Sequence, residues 1–184
     1  MGSKQLEAME NRVPLETLNE ETFRKAVTEY RERIFLVLLR YTRNRDDAKD
    51  LVQEAFVKAY RARANFRGES SVYTWLYRIA INLAINYKSR NRVSSLVSFE
   101  DTTEPVGTGD PSAGILNEEM KGQIDTAIAK LPPRQRMVFI LHYYEERPHA
   151  EIARLLGITE GAVKANYHQA IIKLRVELAR YLKG

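Results

Sequence analysis

Residues 151–164, EIARLLGITEGAVK, carry the most informative local pattern of this 184-residue chain. Gly157 suits the left-handed backbone that ends a helix, and Ile158 can fill the turn that follows. Thr159 can cap the next helix, where the carboxylate of Glu160 is favourable in the first turn. Because cap, turn and core positions occur together, the stretch predicts a helix-turn-helix, whose second helix enters the major groove of DNA.

The two helices of this motif extend on either side of the turn. The first is predicted over residues 148–156, with Pro148 acceptable at its first position. The second has an apolar face made of Val163, Tyr167, Ala170, Ile171 and Leu174. Its opposite face centres on Ala165, where small residues would let the backbone approach a groove closely. The charge pattern alone also fits an ordinary helical hairpin with a solvated polar face.

Apolar residues at three- and four-residue spacing predict helices in the rest of the chain as well. Either Ser70 or Ser71 can cap the helix that contains Trp75. No segment alternates with period two, so the predicted fold class is all-α. The predicted helices cover residues 23–41, 48–60, 75–83 and 120–131, with another starting at Pro133.

Charge and composition divide the chain into segments. The formal net charge is +5, but residues 94–117 contain no Lys or Arg and are rich in Gly, Pro, Ser and Thr. Such a segment buries too little apolar surface to offset its ordering entropy, so it is predicted to be an acidic flexible linker. We expect an N-terminal extension over residues 1–18 and two small basic helical domains over residues 19–93 and 118–184. A basic balance suits a polyanionic partner, and the absence of cysteine excludes thiol chemistry.

The first half of the chain carries a still more specific pattern. It reads DLVQEAFVKAY at residues 50–60, FRG at 66–68 and YTWLYRIAIN at 73–82. These motifs strongly resemble region 2 of bacterial RNA polymerase sigma factors, and the helix-turn-helix is similar to their region 4. With only a short linker between them, the chain resembles a sigma factor of the extracytoplasmic-function (ECF) class over roughly residues 20–180.

The resemblance implies a polymerase-binding surface on the second predicted helix. Its members are Asp47, Asp50, Gln53 and Glu54. Their spacing puts the carboxylates on one helix face, for which a merely solvated acidic face is the alternative interpretation. In the family this surface docks onto the clamp helices of the largest polymerase subunit, and charges at such a rim set orientation and association rate. An anti-sigma factor that covers these surfaces is a further implied partner.

The family reads the minus-ten promoter element with the loop after that helix and the helix beyond, capturing an unstacked base of the non-template strand. The residues implied here are Phe66, Arg67, Gly68, Ser70, Arg78 and Asn82. An aromatic wall with edge hydrogen bonds suits a flipped base, whereas Trp75 and Ile79 are expected to pack in the core. The cations suited to neutralise nearby phosphates are Lys58, Arg61, Arg63, Lys88, Arg90 and Arg92.

Region 4 of this class reads the minus-thirty-five element as duplex DNA through the second helix of the motif. The residues carried over are Thr159, Lys164, Asn166, His168 and Gln169. Amide side chains can pair with adenine, and Lys164 with guanine or phosphate. Arginine is frequent in the family at the positions of Asn166 and Gln169, and a polar cap at that of Pro148, so this chain departs from the pattern there.

We therefore expect a cytoplasmic transcription initiation factor that binds core RNA polymerase and promoter DNA, as duplex and as unpaired non-template strand, and assists melting. No enzymatic role, cofactor, metal or membrane insertion is expected, because the three histidines lack ligand spacing and no catalytic motif or long apolar run occurs. Two alternatives stay open. One is a stand-alone helix-turn-helix regulator of duplex DNA, and the other a helical module that binds only another protein.

Overall fold

The computed structural model describes residues 18–94 and 118–181, with side chains over residues 18–87 and 120–180. Every regular element in these ranges is a helix, which confirms the predicted all-α fold class. The predicted linker and N-terminal extension lie outside the described residues, except for Ser94 and Leu18 at their edges.

Three long helices form the first body: α1 (Glu20–Thr42), α2 (Arg45–Ala62) and α3 (Val72–Ser94), with a 3-10 turn at Arg63–Asn65. Side-chain caps start each helix. Asn19 and Asn44 accept backbone N–H groups at the starts of α1 and α2. At α3, Ser71 Oγ accepts the N–H of Thr74 at 3.1 Å, so Ser71 and not Ser70 is the capping residue.

Four helices form the second body: α4 (Glu118–Ala129), α5 (Pro133–Tyr143), α6 (His149–Leu156) and α7 (Glu160–Tyr181). The turn of the helix-turn-helix is confirmed, because Gly157 has φ 64° and Thr159 Oγ1 accepts the N–H of Ala162 at 3.2 Å. The predicted start of α6 at Pro148 is wrong by one residue. Pro148 has an extended ψ of 151° and lies just outside the helix, where its carbonyl accepts the first helical hydrogen bond.

The two bodies pack directly against each other, which the sequence did not predict. Helix α1 contacts α5, and α3 contacts both α5 and α6. One continuous apolar core joins Leu38 and Ile81 of the first body to Met137, Ile140 and Ile152 of the second. No helix within the described ranges is long and apolar enough to cross a membrane.

Polar side chains reinforce the contact between the bodies. Arg40 Nη1 lies 2.6 Å from the Glu145 carboxylate. Arg147, between α5 and α6, is completely buried, donates to the Tyr73 hydroxyl and lies over the rings of Tyr73 and Tyr77. An ion pair, a hydrogen bond and cation–π contacts therefore anchor the helix-turn-helix body onto α1 and α3.

Candidate nucleic-acid interface

The outer face of α2 is exposed and carries the residues expected to bind a protein partner. Asp50, Gln53 and Glu54 are exposed, whereas Asp47 in the first turn is half-buried. Val57, which the sequence analysis missed, is 43% exposed on the same face. Its position opposite the buried stripe was the available signal. An apolar residue within a polar rim is typical of a protein-binding surface.

The loop after α2 and the middle of α3 form one surface. The Phe66 ring packs on half-buried Trp75 with centroids 5.2 Å apart. Asn82 lies exposed on α3 two turns beyond Trp75, on the same side of the helix. Gly68 has φ 68°, a left-handed backbone conformation that residues with a Cβ atom rarely adopt. The loop therefore sets an aromatic wall and an amide on one accessible face, which we name the strand surface.

The remaining loop and α3 residues are less uniform. Arg67 is exposed, and Ser70 Oγ donates to the Ser71 carbonyl at 3.4 Å. Arg78 Nη2 donates instead to the carbonyl of Arg154 on α6, at 2.7 Å. In this arrangement of the bodies, Arg78 therefore bonds to the helix-turn-helix.

The cations expected to contact phosphates differ in their surroundings. Lys58 pairs with Glu54 at 2.8 Å, and Arg63 lies 3.7 Å from the Tyr60 ring centroid and donates to its carbonyl. Arg61 is exposed. The side chains of Lys88, Arg90 and Arg92, near the end of α3, lie outside the described residues.

The exposed side of α7 holds most residues expected to read duplex DNA. His168 and Gln169 are exposed. Lys164 pairs with Glu160 at 2.9 Å, and the Asn166 amide donates to the Ala162 carbonyl at 2.7 Å. Thr159 caps the helix, as noted above. The structure exposes part of the predicted face, but it engages Lys164 and Asn166 within the helix itself.

Two histidines meet inside the helix-turn-helix, a pairing that the sequence analysis did not consider. The His142 ring on α5 stacks on the His149 ring with centroids 4.5 Å apart, and Tyr167 of α7 contacts both rings. Nδ1 of His142 lies 2.9 Å from the Arg147 carbonyl, so this nitrogen carries the proton and donates. Nε2 of His149 is buried and has no hydrogen-bond partner within the described ranges.

This pair leads us to expect that acidification from about pH 7.5 to about 5.5 destabilises the protein. Burial, the His142 ring and the Lys164 ammonium lower the pKa of His149, against the opposing carboxylate of Glu160. The unfolded chain binds this proton near pH 6.5, whereas the folded chain binds it only at lower pH. The contribution of His149 to stability therefore falls below about pH 6.5 and levels off beneath the folded pKa. Thermal unfolding followed by circular dichroism measures the trend.

Two variants isolate the contribution of the histidine pair. His149→Phe keeps an aromatic ring without a titrating nitrogen and should weaken the pH dependence. His168→Gln, which alters an exposed histidine on α7, should retain it. Equal pH dependence in the unaltered chain and His149→Phe would contradict the expectation.

The structure joins a helix-turn-helix to a helical body that carries an exposed acidic face and an aromatic–amide surface. This is the architecture of a two-body DNA-binding protein. The family model described as Sigma-70 region 2 matches residues 26–93, and that described as Sigma-70, region 4 matches residues 121–174. The chain belongs to the sigma-70 family and, by the relatives below, to its ECF sigma factors.

Curated relatives cover most of the chain. Over 161 residues it is 33% identical to the RNA polymerase sigma-H factor of Pseudomonas aeruginosa and 34% identical to the ECF RNA polymerase sigma-E factor of Escherichia coli strain K12. The alignments cover 83% of this chain, and 83% and 84% of the two relatives.

Solved structures share the fold. The sigma factor RpoE of Bartonella quintana, solved with the anti-sigma factor NepR, gives a TM-score of 0.63 at 21% identity, covering 85% of this chain and 96% of that one. CnrH, solved with the cytosolic domain of CnrY, gives 0.61 at 21% identity, covering 88% and 90%.

Proposed function

We propose that this ECF sigma factor directs core RNA polymerase to promoters through three surfaces. The outer face of α2 binds the polymerase, the strand surface captures the unpaired minus-ten strand, and α7 reads the minus-thirty-five element as duplex. Residues 19–93 supply the first two surfaces and residues 118–184 the third. The factor performs no covalent chemistry, and it acts in the cytoplasm, where its polymerase partner is.

One observation carries the proposal. The α2 face and the strand surface are both exposed, on consecutive elements of the segment that the region 2 model matches. A stand-alone regulator of duplex DNA would need neither a polymerase-binding face nor an aromatic–amide surface for an unpaired base. Family membership also supports an anti-sigma factor as a regulatory partner that covers these surfaces.

Run-off transcription from a promoter library tests the proposal. Core polymerase with the chain should give promoter-dependent transcripts that core polymerase alone does not give, and the chain should co-purify with core polymerase. Duplex binding without any effect on transcription would favour the stand-alone regulator. Binding to neither DNA nor polymerase would favour a module for another protein.

Reversing a charge on the α2 face should weaken polymerase binding specifically. We expect Asp50→Arg to weaken binding to core polymerase by about 1 kcal/mol or more. The arginine would face a polymerase surface that complements acidic residues, and the resulting repulsion slows association. Titration of labelled core polymerase at two salt concentrations measures this effect. Glu32→Arg, which makes the same charge change at an exposed site on α1, is the matched control. Equal affinity in both variants would remove Asp50 from the surface.

A further inference from the structure

The groove-facing side of α7 has an unusual chemical composition for a DNA-reading helix. Its exposed residues are Gly161, Ala165, His168, Gln169 and Ile172, opposite the buried Val163, Ala170 and Leu174. No arginine or lysine lies at the centre of this side. Because arginine and lysine make the commonest specific contact with guanine, the centre of the helix is poorly suited to read guanine.

The polar residues at the margins of this side are already engaged. Lys164 pairs with Glu160 one turn earlier on α7, at 2.9 Å. The Asn166 amide nitrogen donates to the Ala162 carbonyl at 2.7 Å, which turns the amide back onto its own helix. The side chain of Gln169, by contrast, makes no hydrogen bond to any described residue and remains exposed. It is the amide on this helix that is available to a ligand.

Gly161 leaves the backbone in the first turn of α7 open to close approach from outside. A Cβ at this position would meet no atom within 4 Å, so packing inside the protein does not require glycine. Glycine weakens a helix relative to alanine, so its presence in the first turn favours a partner that comes close to the backbone. A groove wall or base edge is such a partner.

We propose that α7 reads adenine–thymine pairs in the minus-thirty-five element. Gln169 pairs with the N6 and N7 edge of an adenine, and Ala165 and Ile172 contact thymine methyl groups, which are the partners that these side chains suit. Ala165 and Gln169 are about 6 Å apart along the helix, roughly two base-pair steps of 3.4 Å. Base pairs about two steps apart can therefore be read together. The inference rests on the proposed function and specifies the bases that it selects.

A change of specificity tests the assignment to Gln169. Holoenzyme assembled from core polymerase and the full chain is offered promoters randomised across the upstream duplex element. The unaltered chain should prefer adenine over guanine at one position by about five- to 150-fold, the discrimination of a bidentate pair. Gln169→Arg should change the base preference at that position from adenine to guanine and leave the preferences at the other positions unchanged. Glu32→Arg, which introduces an arginine at an exposed site on α1, is the matched control and should keep the original preference.

The methyl contacts are tested on the DNA. Replacing one thymine of the preferred element with uracil removes a single methyl group, and one such substitution should lower promoter affinity about fourfold. No effect at any thymine would overturn the contacts of Ala165 and Ile172.

The outcomes separate the two proposals. No promoter-directed transcription from any template means that the proposed function fails. Promoter-directed transcription with guanine preferred at the selected position, or a preference that Gln169→Arg leaves unchanged, overturns the base assignment while the proposed function stands.

Discussion

Arg147→Ala should loosen the contact between the two helical bodies. It should also lower the free energy of unfolding of the protein by about 3–5 kcal/mol, the usual effect of removing one member of a buried ionic group. The guanidinium donates to the Tyr73 hydroxyl, pairs with Glu151 and lies 4.9 Å from the Tyr77 ring centroid. Burial and the nearby Arg33 lower the pKa of Arg147 to about 10, so it remains a cation at neutral pH. Alanine would leave a cavity and unpaired polar partners.

The absence of cysteine makes this change easy to measure. Cysteines introduced at exposed Lys49 on α2 and Arg175 on α7 would carry a fluorophore pair that reports the distance between the bodies. We expect a longer and broader distance distribution in Arg147→Ala, together with a lower thermal midpoint. Arg134→Ala, at an exposed arginine on α5, should leave both unchanged.

Separation of the bodies should also release Arg78 from the Arg154 carbonyl. If Arg147→Ala keeps the original distance distribution and melting temperature, the apolar core alone holds the bodies together. Arg147 would then contribute little to the stability of the contact.

Local elements of this fold could be read from the sequence because their signals lie within one or two helical turns. The left-handed Gly157 and the Thr159 cap need only neighbouring residues, and both were predicted correctly. Ser70 and Ser71 were indistinguishable, because either hydroxyl can precede α3 and only the backbone trajectory selects one. Pro148 was predicted at the first helical position, which proline favours, but it occupies the N-cap, the position just before the helix.

The contact between the bodies could not be predicted in this way. Arg40 and Glu145 are 105 residues apart, and Arg147 and Tyr73 are 74 residues apart. No periodicity links residues at such separations, and a charged side chain is ordinarily expected at the surface. The candidate sites show the same limit on a smaller scale. The face of α7 follows from helical spacing. The hydrogen bond from the Asn166 amide to the Ala162 carbonyl, however, depends on the side-chain rotamer, which spacing does not specify.

Asn82→Ala should impair promoter opening while leaving core polymerase binding intact. The Phe66–Trp75 wall can stack a base that leaves the duplex, and Asn82 on the same face can bond to its edge. Loss of the amide leaves that edge unsatisfied in the captured state, at a cost of about 1–3 kcal/mol. Permanganate reactivity of unpaired thymines measures opening, and co-purification measures core binding.

The choice of template makes this prediction decisive. If Asn82 bonds to one captured base, then a template that is abasic at that position should open equally poorly with the unaltered chain and with Asn82→Ala, because the contact is already missing. Templates abasic at other positions should preserve the difference. Asn86→Ala removes the same amide from an exposed site about 6 Å further along α3 and should open promoters normally. A deficit that persists on every abasic template, or a collapse of core binding, would make Asn82 a structural residue of α3.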